Sequence, residues 1–300
     1  MKPPAFTYHR PQTLPEALDV LAQVGSDGKV LAGGQSLVPL LNMRLAAPAH
    51  LVDVNRLTEL AYVRATQEVV RVGALARHAD TERDAAAYRV LPLLRQATAQ
   101  VAHPTIRNRG TTVGSIAHAD PAGELPGVLA LLDGGVEVAS AAGRRTVGAA
   151  EFFVGPLESA LRPGELAVEA VFPVPPAGSG TAWLEVSRRH GDYALCGAGV
   201  LVTLDEDRRV AAARAAYISV GATPVRVELT EAVAGQAYDA ADWAAAGALA
   251  RAAVEPDDDI HATAAYRRHL VGVLTARAGR AAAAAAAGVA DPDSAGEGGE

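Results

Sequence analysis

Residues 29–54, KVLAGGQSLVPLLNMRLAAPAHLVDV, constrain the fold more than any other part of the chain. A short apolar run breaks at Gly33 and Gly34, and a second strand-like run follows at 51–54. Two adjacent glycines after a buried strand permit positive φ angles and a close approach of the backbone to a ligand. The N–H groups of such a turn can converge on an anion, and Ser36 adds a hydroxyl donor. The segment predicts either a phosphate-binding turn or a plain tight turn between two core elements.

A second segment of small and hydroxyl residues occupies 108–126, NRGTTVGSIAHADPAGELP. One such segment is weak evidence for a ligand site, but two could hold the two ends of a pyrophosphate. Neither segment has the G-x-G-x-x-G or G-x-x-x-x-G-K-[ST] pattern. The sequence therefore indicates neither a Rossmann site nor a P-loop.

Composition bounds the class of protein. The 300 residues exceed the usual size of a single core, so two or three subdomains are expected. A net charge of −7 without a basic cluster argues against a nucleic-acid partner. The single cysteine, Cys196, cannot form an internal disulfide or hold an iron–sulfur cluster. The first residues lack the apolar core of a secretory signal, and no run reaches about 18 apolar residues. We expect a cytoplasmic protein that is not integral to a membrane.

Periodicity predicts the order of the elements. Thr13 and Glu16 form a capping box before a helix, and Thr81 is expected to cap a second, shorter helix. Residues 1–56 are predicted to form a small α/β unit and residues 57–175 a second part of the same domain. The proline- and glycine-rich stretch 173–180 reads as a linker.

Beyond this linker the pattern changes. Strand-like runs come first within 181–280 and helical runs follow, which favours an α+β domain with an antiparallel sheet. Residues 281–300 pass from an alanine run into DPDSAGEGGE, and we expect a disordered tail there.

Three ordered motifs carry a family resemblance: AGGQS from residue 32, RGTTVGSIAHADPAGELP from 109 and RRHGDYAL from 188. They resemble the FAD-binding medium subunits of molybdenum hydroxylases, a group that includes the carbon monoxide dehydrogenase medium subunit and the flavin domain of xanthine dehydrogenase. The resemblance runs from about residue 3 to about residue 280. It implies an α+β fold: a two-part FAD-binding domain of the vanillyl-alcohol-oxidase/PCMH type, followed by a C-terminal α+β domain with an antiparallel sheet and helices.

The resemblance also implies which residues contact FAD. The first loop matches position by position, and apolar neighbours would form a wall of the site. In the second segment, hydroxyl and small residues align with the family's loop. Three more residues each align with one family contact: an acid that accepts from a ribose or ribityl hydroxyl, a backbone group that contacts the flavin, and an aromatic ring beside the isoalloxazine. Asp120 is the alternative to the aligned acid. In chain order these residues are Leu31, Ala32, Gly33, Gly34, Gln35, Ser36, Leu37, Val38, Thr111, Thr112, Val113, Gly114, Ser115, Glu124, Leu166 and Tyr193.

Several of these residues also have structural interpretations. Leu31, Leu37 and Val38 are equally consistent with ordinary core, and Glu124 with a helix-initial acid that interacts with the dipole. Val113 stands where the family usually has a glycine. Because valine does not adopt positive φ cheaply, we expect the second loop to be built differently there or to hold the cofactor less closely.

No side chain is identified as a catalytic acid or base, and no metal site is predicted. His103, His118 and Asp120 match no common zinc spacing. Arg107 and Arg109, beside the second segment, could neutralise a phosphate or pair with surface acids. Both alternatives remain open at this point.

The resemblance implies an oxidoreductase subunit that binds FAD non-covalently and transfers electrons. A large partner subunit would hold the molybdenum cofactor, and a small partner would hold iron–sulfur (2Fe–2S) clusters. The assembly would be a dimer of heterotrimers, and the external acceptor a quinone or another small molecule. Two other hypotheses remain: a stand-alone FAD-dependent oxidoreductase with its own small organic substrate, and a flavin-less assembly subunit.

Overall fold

The computed structural model describes residues 2–289, and the first 173 residues contain both helices and strands. The elements up to that point are β1 Thr7–His9, α1 Leu14–Val24, β2 Gly28–Leu31, α2 Leu37–Met43, β3 His50–Asp53, β4 Val63–Ala65, β5 Val69–Gly73, α3 His78–Arg83, α4 Ala85–Val90, α5 Pro92–Gln100, α6 Pro104–Arg107, α7 Thr112–His118, α8 Glu124–Leu131, β6 Gly135–Ser140, β7 Gly143–Gly148, α9 Ala149–Phe152, β8 Phe153–Gly155, β9 Glu158–Ser159 and β10 Leu166–Pro173.

After this point four strands precede three helices, in the order that the sequence predicts. They are β11 Ser179–Val186, β12 Cys196–Leu204, β13 Val210–Ile218, β14 Val225–Glu228, α10 Thr230–Val233, α11 Trp243–Ala252 and α12 Ala264–Ala286. The described chain divides into two compact units. The first comprises residues 2–90, 102–120 and 133–173, and the second comprises 91–101, 121–132 and 174–289.

The first unit contains a parallel sheet of order β1-β3-β2 and an antiparallel sheet of order β4-β5-β10-β6-β7. Helix α1 begins as predicted, because the Thr13 hydroxyl accepts from the Glu16 N–H at 3.3 Å. The Glu16 carboxylate, however, accepts from the N–H of Gln12 at 2.7 Å, so the predicted capping box closes one residue earlier. The predicted role of Thr81 is wrong: it lies inside α3, and Arg77 occupies the cap position.

The second unit is built on an antiparallel sheet of order β11-β12-β13-β14, as predicted. Helices α11 and α12 pack on the sheet with Tyr217 and Trp243 in the core between them. Helices α5 and α8 also pack against strands of this sheet. Both helices lie within residues 57–175, which the sequence analysis assigns to the second part of the FAD-binding domain, but in the structure they belong to the second unit.

The expectation of a disordered tail from Ala281 onward is corrected by the structure. Helix α12 continues to Ala286, and Ala282 and Ala283 are fully buried. A Cβ on Gly180 would come within 2.2 Å of the Ala282 carbonyl oxygen, so strand β11 and the alanine run are in backbone contact. The small side chains of the alanine run allow this contact. They pack closely against β11, although the composition of the run suggests no buried surface. Residues 290–300 of the expected tail lie outside the described residues.

Among the helices of the described residues, none combines the length and the apolar character that crossing a membrane requires.

Candidate functional site

The first glycine segment connects the end of β2 to the start of α2. Gly34 has a φ of +74°, and a Cβ there would also lie 3.2 Å from side-chain atoms of Leu31 and Val38. Glycine is therefore required at this position by backbone conformation. Within residues 2–289, the backbone N–H groups of Gly33, Gly34, Gln35 and Ser36 donate no hydrogen bond. The segment thus presents unused donors, which is the property that an anion-binding turn needs.

Residues Thr112–His118 of the second segment form α7, and this corrects the expectation of a loop there. Thr111 is the N-cap of α7, and its hydroxyl accepts from the Gly114 N–H at 3.1 Å. Val113 is buried within the first turn of the helix and has no positive φ. The expected conflict at Val113 therefore does not arise. Gly114 is small because a Cβ there would lie 2.5 Å from the capping oxygen of Thr111.

The two segments meet at Gly33. A Cβ on Gly33 would lie 2.5 Å from the Arg109 carbonyl oxygen and 2.7 Å from the Cα of Gly110. Real Cβ atoms do not approach other atoms so closely, so the absence of a side chain at Gly33 is what admits the second segment. The predicted juxtaposition of the two motifs is therefore present within the first unit.

A cleft of about 330 Å³ opens beside this contact. Six of the predicted residues line it: Leu31, Ala32, Gly33, Gly34, Gln35 and Val38. Sequence reasoning missed Pro39, Asp53 and Asn55 and left Arg109 undecided, and all four line the same cleft. The signal for Asp53 and Asn55 was available, because Asp53 ends β3 and Asn55 lies just beyond it. Strand β3 is parallel to β2, and ligands bind beyond the carboxyl ends of parallel strands.

Asp53 and Asn55 form a polar cluster at the floor of this cleft. Asp53 accepts from the hydroxyl of Tyr8, from the Asn55 N–H at 2.9 Å and from the Asn55 amide at 2.6 Å. Burial alone would raise the pKa of the Asp53 carboxyl, but these hydrogen bonds outweigh burial and hold the pKa below its usual value. Asp53 is therefore an ionised acceptor that orients Asn55.

The structure separates the alternatives left open for the two arginines. The buried Arg107 pairs with an acid, because its Nε donates to the Glu82 carboxylate at 2.9 Å. Arg109 is exposed and lines the cleft. Among the described residues no carboxylate forms an ion pair with the Arg109 guanidinium. Arg109 is therefore the cation that is available to a bound anion.

Comparisons with known proteins agree with this geometry. Residues 4–175 match the family described as the FAD binding domain in molybdopterin dehydrogenase, and residues 181–282 match the CO dehydrogenase flavoprotein C-terminal domain. The chain belongs to the FAD-binding subunits of the molybdenum hydroxylases. The predicted family and the α+β fold class are thereby confirmed.

Individual members of this family are similar over almost the whole chain. The 6-hydroxypseudooxynicotine dehydrogenase complex subunit alpha of Paenarthrobacter nicotinovorans is 43% identical over 92% of this chain and 94% of its own. The carbon monoxide dehydrogenase medium chain of Hydrogenophaga pseudoflava is 36% identical over 94% of this chain and 98% of its own. A solved structure of carbon monoxide dehydrogenase from the same organism gives a TM-score of 0.89 at 37% identity, covering 95% of this chain and 99% of that chain.

The donor set at the cleft fits the pyrophosphate of the family's cofactor. Unused backbone N–H groups, an available guanidinium and apolar walls from Leu31, Val38 and Pro39 face one cavity. By contrast, the hydroxyl of Thr112 lies inside the fold, 3.0 Å from the Thr81 hydroxyl. The Thr112 N–H is also used within the fold, because it donates to the Ala76 carbonyl at 3.3 Å. Ser36 and Leu37 adjoin the cleft at the start of α2, and Ser115 lies in the first half of α7.

The remaining predicted residues occupy three different environments. Leu166 is buried in β10, where its backbone pairs with Ala139. Glu124 is the first residue of α8 in the second unit and is buried. Asp120 follows α7 in the first unit. Tyr193 is 69% exposed in the turn between β11 and β12.

The turn that carries Tyr193 has a fixed base. The buried Arg267 donates to the Leu195 carbonyl at 2.8 Å, and the Ser219 hydroxyl donates to the Ala194 carbonyl at 2.7 Å. The N–H of Leu195 closes the turn on the Val186 carbonyl at 2.7 Å. The base of this turn is therefore hydrogen-bonded to the rest of the second unit, and the Tyr193 ring beside it is largely exposed.

Proposed function

We propose that this chain transfers electrons from the 2Fe–2S clusters of a small partner subunit, through non-covalently bound FAD, to an external acceptor. In this proposal a large partner subunit holds the molybdenum cofactor and carries out the substrate reaction. The observation that supports the proposal most directly is the cleft at Gly33, where two motif segments, unused N–H donors and Arg109 come together.

FAD, when bound, supplies chemistry that fits this place, because a flavin can accept electrons singly and release them as a pair. The chain's own residues bind and orient it. We propose that Ala32 to Ser36 hold the pyrophosphate by backbone N–H groups, assisted by Arg109. The start of α7, Thr111 to Ser115, would contact the cofactor at the same cleft, although the N–H groups of Thr112, Gly114 and Ser115 already donate within the fold. Leu31, Leu37 and Val38 would exclude water from one side of the cofactor.

Three further contacts belong to the proposal. The backbone of Leu166 would contact the flavin, and the Glu124 carboxylate would accept from a ribose or ribityl hydroxyl. The exposed ring of Tyr193 would lie beside the isoalloxazine, since a tyrosine can stack on a flat ring and offer its hydroxyl to a polar edge.

The proposed assembly is a cytoplasmic dimer of heterotrimers with a quinone or another small molecule as acceptor. Because the substrate reaction would take place on the large partner, the similarity to subunits named for 6-hydroxypseudooxynicotine and for carbon monoxide does not select a substrate for this complex.

The first test is a visible absorption spectrum of the purified chain before and after addition of FAD. Cofactor released by denaturation is then identified by chromatography. The expected result is a flavin spectrum that dithionite bleaches, in a chain that oxidises no organic substrate without its partners. Turnover of a small organic substrate by the isolated chain would instead support a stand-alone oxidoreductase. No flavin and no FAD uptake, alone or with co-expressed partners, would contradict the proposal.

A further inference from the structure

Arg77 links the two segments that meet at Gly33. It precedes α3 and is partly buried. Its Nη1 donates to the carbonyl oxygen of Arg109 at 2.7 Å, and its Nη2 donates to the side-chain oxygen of Asn55 at 2.8 Å. The guanidinium therefore joins the second segment to the residue at the floor of the cleft.

Asn55 continues the connection to the first segment. Its amide nitrogen donates to the Ala32 carbonyl at 2.8 Å and to Asp53 at 2.6 Å. A continuous path of hydrogen bonds thus runs from the Ala32 carbonyl through Asn55 and Arg77 to the Arg109 carbonyl. Ala32 and Arg109 are the backbone neighbours of the two glycines, Gly33 and Gly110, that touch.

The rest of α3 does not need this guanidinium. The helix buries His78, Ala79 and Thr81, and its start is fixed by the Arg77 N–H, which donates to Asp80 at 2.9 Å. The side chain of Arg77 is instead extended towards the cleft. Hydrogen bonds from a charged group are shorter and stronger than neutral ones, and only a planar guanidinium can reach two acceptors in different directions from fixed nitrogens.

We infer that Arg77 is a positioning residue for FAD: together with Asn55 it fixes the separation of the two cofactor-binding segments and thereby sets the affinity of the site. The inference rests on the proposed function, because it assigns a role at the same cleft. Arg77 itself touches the backbone and Asn55 and acts on the cofactor through them.

The electrostatic environment agrees with this role. Burial, and then the charge of Arg109, lower the pKa of Arg77. Two guanidinium groups therefore lie close to the same cavity, and their mutual repulsion is relieved when an anion binds between or beside them.

The test compares five full-length chains with the parent: Arg77→Gln, Arg77→Lys, Asn55→Ala, the double variant Arg77→Gln/Asn55→Ala, and Arg83→Gln as control. Arg83 is an exposed arginine at the other end of the same helix. FAD affinity is measured by quenching of flavin fluorescence. We expect about a tenfold or greater loss for Arg77→Gln and for Asn55→Ala. The double variant should be no weaker than the worse single one, because one connection is removed in each case.

A second measurement does not depend on cofactor. Hydrogen exchange of FAD-free protein should be faster around both segments when Arg77 or Asn55 is replaced, and Arg83→Gln should match the parent. The amides to follow are those of Val38 and Val54, which donate to the Gly34 and Leu31 carbonyls, and those of 109–114. Arg77→Lys, which keeps the charge but not the fork, should be intermediate in both measurements. These two readouts separate a positioning role from a general loss of stability, which would raise exchange throughout the first unit.

Unchanged affinity and unchanged exchange in Arg77→Gln and Asn55→Ala would overturn the inference. If Arg77→Gln does not fold, the same result in Arg77→Lys and Asn55→Ala is decisive. If the parent takes up no FAD but the variants still exchange faster in both segments, the proposed function fails while the connection between the segments stands.

Discussion

Gly33 and Gly110 are in backbone contact: a Cβ on Gly33 would lie 2.7 Å from the Cα of Gly110. The two glycines are far apart in the sequence, and each belongs to a different motif. Their contact makes one cleft out of two segments that would otherwise be separate turns. The requirement for glycine at position 33 is therefore set by the chain itself, in addition to any requirement of the cofactor.

Replacement of Gly33 by alanine should weaken FAD binding and destabilise the first unit together. The added methyl group would overlap the Arg109 carbonyl, at 2.5 Å, and overpacking of this kind costs about 1–3 kcal/mol. Flavin titration and thermal unfolding of the FAD-free chain measure the two effects. Gly148→Ala is the matched control, since nothing lies within 4 Å of a Cβ there. Equal behaviour of the two variants would contradict the packing argument.

Thr111→Val should destabilise α7 by about 1 kcal/mol, because the variant keeps the shape of the side chain but loses the acceptor for the Gly114 N–H. Thr111→Ser, which keeps the hydroxyl, should retain most of the stability. Chemical denaturation of the FAD-free chain measures the difference. If both variants lose the same stability, the hydrogen bond of the cap does not account for the stabilisation by Thr111.

His78 should make the stability of the chain depend on pH. Burial, with a smaller effect from the charge of Arg107, lowers the pKa of His78 to about 4. The unfolded chain, with an ordinary pKa of about 6.5, binds the proton first as the pH falls. The contribution of His78 to stability should therefore decrease by about 1.4 kcal/mol per pH unit as the pH falls from about 6.5 to about 4, and change no further below that range.

Denaturant unfolding of the FAD-free chain across this range checks the prediction. The variant His78→Gln should show a shallower pH dependence than the parent. Replacement of the exposed His261 by Gln serves as the control and should leave the profile unchanged. A parental slope that persists in His78→Gln would assign the effect to other groups.

Tyr193→Ala should change the flavin spectrum without changing the stability of the chain. The side chain is 69% exposed, so its removal costs little packing. If the ring lies beside the isoalloxazine, its loss shifts the visible absorption and the fluorescence of bound FAD. Tyr266→Ala, which removes another exposed tyrosine of the second unit, is the control. Spectra identical to the parent's would remove Tyr193 from the proposed site.

Gly180→Ala should destabilise the second unit, because the added Cβ would overlap the backbone of α12 at Ala282 and Ala286, both at 2.2 Å. The loss should appear as a lower midpoint of thermal unfolding, with FAD affinity of the folded protein little changed. A neutral outcome would mean that the end of α12 separates from β11 in solution.

Those features that depend on a few neighbouring residues could be predicted from the sequence. Thr13 caps α1 because its hydrogen-bond partner, Glu16, lies only three residues away in the sequence. Gly34 has a positive φ, a backbone conformation that residues with a Cβ rarely adopt, so the glycine itself indicates the turn. The strand-like runs beyond the linker likewise predict β11 to β14 and an antiparallel sheet. Each of these features is determined by residues that are close together in the sequence.

Features that depend on distant parts of the chain could not be predicted. Arg77 matters because α3 begins beside the second segment, and this fact is not written in local sequence. The conformation of Val113 depends on where α7 begins, since the residue lies in the first turn of that helix and has no positive φ. The alanines at the end of α12 gave no hydrophobic signal, since their burial depends on Gly180 being small.

The origin of α5 and α8 has a consequence for synthesis of the chain on the ribosome. Both helices emerge well before β11, the first strand of the sheet that they cover. Leu125, Val128 and Leu129 of α8 are fully buried in the finished protein, so they remain without their partners while translation continues. A chain cut at 173–180 would leave this apolar face permanently uncovered in one fragment and the sheet uncovered in the other. The segments before and after this cut are therefore not independent folding units. Nascent chains stalled before β11 should recruit chaperones.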